Sequence, residues 1–346
     1  MTKQIIGLSV LLLISLCSTA NAAVKTDAMA PATPPFSINI AGVYLQPSAN
    51  NMTYAVYTTP LPLTTPNWEQ LTIKPDHSTG LAIGLHYAFS DKNTINIDWM
   101  TISTSDSDSF ATTAANTSVA PPFYFGPLAQ ALTGTSASSK VEFDVNNVDL
   151  TVGNNLSPSN AINFNIYAGL NAAYLRQEIT SSYLGSSGGN PYSITTDNKS
   201  RFTGIGPRAG VNATYFVTPQ FGIAAKMGAS LLAGTTQSNT DFLSAGAGNT
   251  TPANTSLADQ NLTSIVPVVD ANLEASYLIP INGPLSSLMI AAGYQIKSYF
   301  NGINQVVPTA LVPGAFNGGV IAIESSVQSQ SDLSLNGFYV NFTLNL

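Results

Sequence analysis

Charge is what this chain most lacks. Only 8% of its 346 residues are Asp, Glu, Lys or Arg, where a soluble globular domain carries about 25%. Long apolar runs are lacking as well. Past the first residues no stretch approaches the roughly 18 apolar residues a membrane-spanning helix needs, so spanning helices are excluded. Cysteine is reduced to Cys17 and histidine to His77 and His86. Disulfides therefore do not hold the fold, and most metal clusters and nucleophile–base pairs are out of reach. Cations are outnumbered, 11 against 18 acids for a net charge of −7, which argues against nucleic acid as a partner.

What is present begins with a leader. Lys3 supplies a positive start, Ile5 to Leu16 an apolar stretch, and Ala20-Asn21-Ala22 a small-x-small cleavage site. Together they predict a secretory signal peptide over 1–22, cleaved after about Ala22. Cys17 follows Leu16, where a lipoprotein signal would place a small residue, so it leaves with the leader. A short periplasmic segment, 23–36, then precedes a single domain over 37–346.

Apolar residues in that domain alternate one in two, the period of a strand rather than of a helix. Leu81-Ile83-Leu85-Tyr87-Phe89, Ile95-Ile97-Trp99 and Phe164-Ile166-Ala168-Leu170 are clear cases. Phe221-Ile223-Ala225-Met227, Val269-Ala271-Leu273, Leu288-Ile290-Ala292-Tyr294 and Phe338-Val340-Phe342-Leu344 repeat the pattern. Ile38-Ile40-Gly42-Tyr44 is a shorter one, and Ile205 to Tyr215 alternates around Pro207, which predicts a local bulge. Val141-Phe143-Val145 and Val148-Leu150-Val152 alternate in opposite phase. A one-residue slip at Asn146-Asn147 would reconcile them, so a second bulge is expected there.

Connections alternate short and long without exception. The short ones lie near 90–93, 154–161, 217–220 and 280–285. The long ones cover 47–79, 104–139, 179–200, 234–263 and 302–332. Outer-membrane barrels have short periplasmic turns and longer extracellular loops. The expected fold is therefore all-β, a transmembrane antiparallel up-and-down β-barrel of about ten strands. Aromatic residues near strand ends (Phe89, Trp99, Tyr174, Tyr215, Phe221, Tyr277, Phe300, Phe342) fit interfacial girdles. The polar outer connections, Ser105 to Ser118 and Ser244 to Ser256, have the composition of solvated loops. Pro121-Pro-Phe-Tyr-Phe125 is an apolar patch among them, suited to packing on the rim.

If the apolar set faces lipid, the alternate set faces the lumen. That set holds His86, Asp98, Glu142, Asp144, Asp149, Arg208, Lys226, Asp270, Glu274 and Lys297. Six carboxylates against three firm cations would make any pore weakly cation-preferring. The same charges equally fit a satisfied internal network that lets nothing through. Small lumen residues such as Gly84, Gly210 and Gly228 fit either open space or strand curvature. About eight strands leave an interior just filled by side chains, and roughly 16 to 18 leave an aqueous channel, so ten allow a narrow pore at most. Catalysis is not expected: Asp76-His77 is an isolated pair at a strand mouth. Gly204-Ile-Gly206 lies in a strand and opens no helix, so it is no phosphate loop. No cofactor or metal is implied.

A set of local signatures points further. Phe202-Thr-Gly-Ile-Gly-Pro-Arg-Ala-Gly210, Ser230-Leu-Leu-Ala-Gly234, Ile265-Val-Pro267, Ala291-Ala-Gly-Tyr-Gln295, Ser298-Tyr-Phe-Asn-Gly-Ile303 and Asn336-Gly-Phe-Tyr-Val340 resemble the Legionella-type major outer membrane proteins. They cover the C-terminal half well, and the part before Val141 matches in strand rhythm alone. The chain ends in Leu346, where many barrels end in an aromatic residue. The resemblance implies a bacterial outer-membrane protein with a porin-like role for small hydrophilic solutes. The alternative is a surface barrel with a closed lumen whose long loops act in adhesion or partner binding. Expected partners are outer-membrane lipid and lipopolysaccharide, and small hydrophilic solutes or ions; a homo-oligomer is allowed.

The alternation carries a direct test. Ile166→Arg or Leu273→Arg should cost roughly 2–4 kcal/mol if these positions meet lipid near the bilayer midplane. Arginine at the neighbouring Asn165 or Asn272 should leave refolding yield nearly unchanged. Equal losses on the two faces would show the register to be wrong.

Overall fold

The computed structural model describes residues 35–59, 67–90, 92–114, 117–122, 133–159, 161–187, 190–246, 249–258, 261–281, 286–311 and 323–346. The predicted signal peptide and most of the segment after it lie outside these residues, as do Phe123 to Phe125 of the apolar loop patch. Ten strands form the ring: β1 (Phe36–Ala49), β4 (Ser78–Ala88), β5 (Asn93–Ala111), β7 (Thr133–Ser159), β8 (Ile162–Ser187), β9 (Asn190–Phe216), β10 (Phe221–Gly246), β12 (Leu262–Pro280), β13 (Ser287–Leu311) and β14 (Ile323–Asn345). Each pairs antiparallel with its neighbour in sequence. First and last strands zip together from Ser37 opposite Asn345 to Ala49 opposite Leu333, so the sheet has no edge.

One end of the ring carries tight turns. Ser90 Oγ accepts the Asn93 N–H at 3.1 Å, and Thr218 Oγ1 accepts the Phe221 N–H at 2.9 Å. These are the side-chain-to-backbone bonds that Ser and Thr make in turns. At the other end the expected long loops are largely strand. β7 and β9 are each 27 residues long, whereas a bilayer needs about 9–11 per tilted strand. Only the turn-end half of such a strand meets lipid; the rest stands clear of it. β8 and β9 run on until Ser187 faces Asn190. A further strand, β11 (Asn249–Ala258), pairs with the outer half of β10. The segments that read as solvated loops are thus mostly paired backbone. Alternating Ser and Thr on the wet face and apolar side chains within the mouth sustain the ladder beyond the membrane.

The predicted bulge at Asn146-Asn147 does not exist. β7 pairs without a shift through both residues, opposite Met100 and Thr101 on one side and Ala173 and Tyr174 on the other. Strand parity is kept, and the surroundings change instead. In the turn-end half Val148, Leu150 and Val152 point out to lipid while Asn147, Asp149 and Thr151 point in. In the outer half Val141, Phe143 and Val145 point in, and Glu142 and Asp144 point out to water. Nor does Pro207 make a bulge. It faces Leu170 in register on β8, and on the β10 side pairing lapses for two positions and resumes in the same register. The ladder shifts instead on β13, where Tyr299 faces Leu333 but Ile303 faces Ser331. Four residues advance against two, and Asn301 takes a left-handed φ of 56° there.

The inward side chains of the outer half form an apolar cluster interleaved with buried polar ones such as Gln177, Thr196, Ser200 and Thr236. Leu45, Ile102, Phe143, Leu175, Phe202, Leu232, Val268, Tyr299, Leu333 and Leu335 belong to it, all nearly inaccessible to water. A small sheet of β2 (Thr53–Thr59), β3 (Asn67–Thr72) and β6 (Ser118–Ala120) extends this cluster. Its Tyr54, Ala55 and Val119 are buried in it. The Tyr183 hydroxyl donates to Tyr54 O at 2.6 Å, and Asn51 and Gln177 exchange amide hydrogen bonds at 2.7 and 3.0 Å. Burial, aided by Asp108, pushes the Tyr54 hydroxyl up to about 12. The lid is therefore pinned to β8 across the mouth.

The inversion along β7 predicts an asymmetry between adjacent residues. Phe143→Ala should lower stability by about 3–5 kcal/mol, the usual cost of emptying an aromatic core site. Glu142→Ala removes an exposed pairing with Lys140 and should change it by no more than about 1 kcal/mol. Denaturant titration of the refolded chain checks both. If Glu142 proved the costly position, the strand would carry the slip after all.

Candidate functional site: the lumen chamber

Below the apolar cluster the barrel opens into a polar cavity of about 460 Å³ that reaches the turn end. Its walls follow from strand parity. Stepping down from each apolar residue brings in a polar one: Phe143 and Val145 give way to Asn147 and Asp149, Val268 to Asp270, Tyr299 to Lys297. Ser37, Asn155, Asn163, Thr214, Thr343 and Asn345 ring the turn-end opening.

Arg208 is the centre of the chamber. Its guanidinium grips Asp270 with two bonds, 2.6 and 3.0 Å, and gives a third to Ser230 Oγ at 3.2 Å. Its Nε lies 3.4 Å from Asp149, which also faces Lys297 at 4.0 Å. Two carboxylates and two cations thus neutralise one another in a buried quartet. Such bidentate, charge-assisted contacts are the strong kind, and removing one partner would strand the other. Tyr167 packs beside the quartet, 5.7 Å from Arg208 and 5.6 Å from Lys226. Two glycines make room for its ring. A Cβ at Gly210 would fall 2.3 Å from the Tyr167 hydroxyl, and one at Gly228 would fall 2.8 Å from it. These lumen glycines seat a large side chain instead of leaving open space.

The remaining charges are more loosely held. Asp98 is 3.6 Å from His86, whose Nδ1 meets Asn96 at 2.8 Å. Glu274 accepts the Tyr339 hydroxyl at 2.7 Å across from β14. His86, Asp98, Asp149, Arg208, Lys226, Asp270, Glu274 and Lys297 all line the chamber. Glu142 and Asp144 do not. They lie on the outward face of the outer half, where Glu142 pairs with Lys140 and Asp144 with Arg176. The lumen balance is therefore four carboxylates (Asp98, Asp149, Asp270, Glu274) against three cations (Arg208, Lys226, Lys297). Tyr167, Tyr299 and Asn171 are not singled out by the sequence, and Asn147 is read there only as part of a bulge. Their signal was available in their shared parity with Asn165, Lys297 and Asp149, but aromatic residues had been assigned to the lipid interface. Asp76 and His77 stand apart from the chamber, and His77 stacks on Tyr44 at 5.0 Å. Among the described residues no cluster suited to a metal ion occurs.

A septum separates the chamber from the outer mouth. The Tyr299 hydroxyl donates across the lumen to Asn147 Oδ1 at 3.3 Å, and Asn171 donates to the same oxygen at 2.8 Å. Above them β13 buckles inward. Gly302, Ile303 and Asn304 are buried in succession, and the Asn304 N–H donates to Ser200 Oγ of β9 at 2.9 Å. β13 and β9 are not ring neighbours, so this bond spans the interior.

Comparison with known proteins places the chain. It is similar over long alignments to the solved structures of a Pseudomonas aeruginosa FadL homologue (7% identity, TM-score 0.25, covering 92% of this chain and 95% of that one). It is also similar to the P. putida toluene transporter TodX (7%, 0.29, 93% and 91%) and to the Ralstonia pickettii toluene transporter TbuX (9%, 0.23, 93% and 96%). At these scores the likeness carries nothing about a ligand. No curated protein matches. The model of the family described as Legionella pneumophila major outer membrane protein precursor matches residues 29–346, nearly the whole chain, and the protein belongs to that outer-membrane family.

Proposed function

We propose that the protein is a narrow outer-membrane pore for small hydrophilic solutes whose flux is limited by the septum and not by the chamber. The observation that carries this is the polar cavity itself, some 460 Å³ of it within the membrane-spanning half. A barrel built only as a rigid anchor gains nothing from desolvating an Arg208 quartet beside unfilled space, since buried charge costs several kcal/mol per ion before pairing. A solute path needs such fixed, fully paired charge, because it keeps walls hydrated without binding ions tightly.

Passage requires the septum to yield, and the β13 buckle is the element suited to do so. It is tied across the lumen by bonds such as Asn304 N–H to Ser200 Oγ and Thr240 Oγ1 to Val306 O, and its ladder to β14 is already broken between Tyr299 and Ile303. With four carboxylates against three cations the ionic preference is for cations and slight. Asp98 and Glu274 set it, since Asp149 and Asp270 are committed to Arg208 and Lys297. The apolar septum favours one competing reading, a barrel that stays shut and works through its outer hairpins.

Planar-bilayer recording of the refolded chain decides between them. Small, intermittent conductance is expected, with a reversal potential weakly cation-selective near 0.1 M salt. It should approach zero selectivity near 1 M, as the Debye length falls from about 10 Å to 3 Å. Glu274→Gln should move the potential towards zero and leave conductance in place. Ser200→Cys with Asn304→Cys should tie the buckle to β9; the only natural cysteine is Cys17, in the predicted leader. The tied protein should fall silent until reduced. A folded barrel that stays silent both reduced and oxidised would make the shut-barrel reading the correct one.

A further inference from the structure

The outward face of the outer half is not uniform. On β7, β8 and β9 it carries charges in register rows. Asp144 faces Arg176, and Arg176 faces Arg201. One step farther from the membrane Glu142, Glu178 and Lys199 align, and one step farther again Lys140, Thr180 and Asp197. Below the first row come Asn146, Tyr174 and Thr203, then lipid-facing Val148, Ala172 and Ile205. At about 3.3 Å rise per residue, the arginine row stands roughly 13 Å along the strands above those aliphatic side chains, about headgroup height once strand tilt is allowed for.

Elsewhere at this level the outward positions are uncharged or acidic: Ser103, Ser105 and Ser107 on β5, Ser298 on β13, Ser334, Asp332 and Gln330 on β14. Among the described residues, cations on the outward strand faces above the lipid belt are confined to this one sector, and the one other exposed cation at that end, Lys74, lies in the connection between β3 and β4. Within it the signs are ordered. The row nearest lipid is Asp144, Arg176, Arg201, net +1; the next is Glu142, Glu178, Lys199, net −1. Arg176 is held in place by Asp144 at 2.9 Å and by Glu178. Lys199 is held between Asp197 at 2.6 Å and Glu178 at 3.4 Å. Arg201 is exposed and, among the described residues, no protein group answers its charge. Exposed ion pairs of this kind contribute little to stability, about 0–1 kcal/mol each, so folding does not explain the array.

We propose that this sector binds the phosphorylated lipid A headgroup of lipopolysaccharide, with Arg201 and Arg176 as the phosphate ligands. Two guanidinium groups directly opposite on adjacent strands lie about 5 Å apart at the backbone, and their planar forks match phosphate oxygens in pairs. Asp144 and Glu178 act as positioning residues: each takes one terminal nitrogen of Arg176, which meets the ligand through its remaining N–H groups, while Arg201 offers a free fork. The Glu142, Glu178, Lys199 row above it, net −1, repels a second phosphate and sets the headgroup's height. The site depends only on the barrel standing in an outer leaflet, whether or not the lumen conducts.

The test uses the refolded full chain in detergent micelles and measures binding of fluorescent lipid A. Arg201→Gln should weaken binding about tenfold, the loss of one charge-assisted fork. Arg176→Gln should do the same, while Lys92→Gln, at the turn end, should change nothing. Heat-modifiable mobility confirms that each variant is folded. Lipid A stripped of its phosphates should bind the native chain no better than it binds Arg201→Gln. Inorganic phosphate at millimolar concentration should not displace lipid A if the headgroup in its lipid setting is the ligand. Equal binding by native and Arg201→Gln protein, indifference to the phosphates, or ready displacement by inorganic phosphate would each overturn the assignment.

Discussion

A strand that leaves a bilayer keeps its parity, but the two solvents on its faces change places. That constraint organises this protein. In the membrane the outer face must be apolar and the inner face may be wet; above it the outer face must be wet and the interior can bury apolar side chains as any water-surrounded core does. On β7 the change falls between Asn147 and Val145 inside and between Val148 and Asn146 outside. Similar exchanges on the other strands place the apolar septum above the chamber. The chamber and the septum are successive levels of one ring of strands, and the charged outer rows crown β7, β8 and β9.

The fold was largely legible from alternation, because period-2 patterning and turn chemistry act locally. Leu81 to Phe89 or Phe338 to Leu344 could be read alone, and the strict alternation of short and long connections added closure. The bulge assigned to Asn146-Asn147 failed for a physical reason. A phase reversal in an apolar pattern can come from an extra residue or from a change of solvent, and sequence records both in the same way. The same ambiguity placed Glu142 and Asp144 inside. It also turned paired outer strands into loops, since Ser and Thr on a wetted strand face look like a solvated segment.

The chamber was legible in its charges and not in its architecture. His86, Asp98, Asp149, Arg208, Lys226, Asp270, Glu274 and Lys297 follow from parity within the membrane-spanning halves of their strands. Their grouping does not, because Arg208 meets Asp270 across 62 residues of chain and meets Asp149 across the ring. The β13 buckle was hidden more deeply. Ser298-Tyr-Phe-Asn-Gly-Ile303 reads as strand, and only the mismatched advance against β14 exposes the inward fold.

The apolar septum gives this barrel two kinds of cohesion on one set of strands. Its outer half is held by water's exclusion from a core, its inner half by lipid around a ring of backbone bonds. The outer half should therefore respond to urea much as a soluble β-protein does, since urea solvates buried apolar and peptide groups. The inner half should respond instead to the detergent or lipid that replaces the bilayer. Ladders that run unbroken from the inner half into the outer on β7, β8 and β9 couple the two, so lipid loss below is resisted from above. Extraction from the membrane should thus leave the outer halves of the long strands, β7, β8 and β9 among them, gripped by their own core, from which the ring can close again.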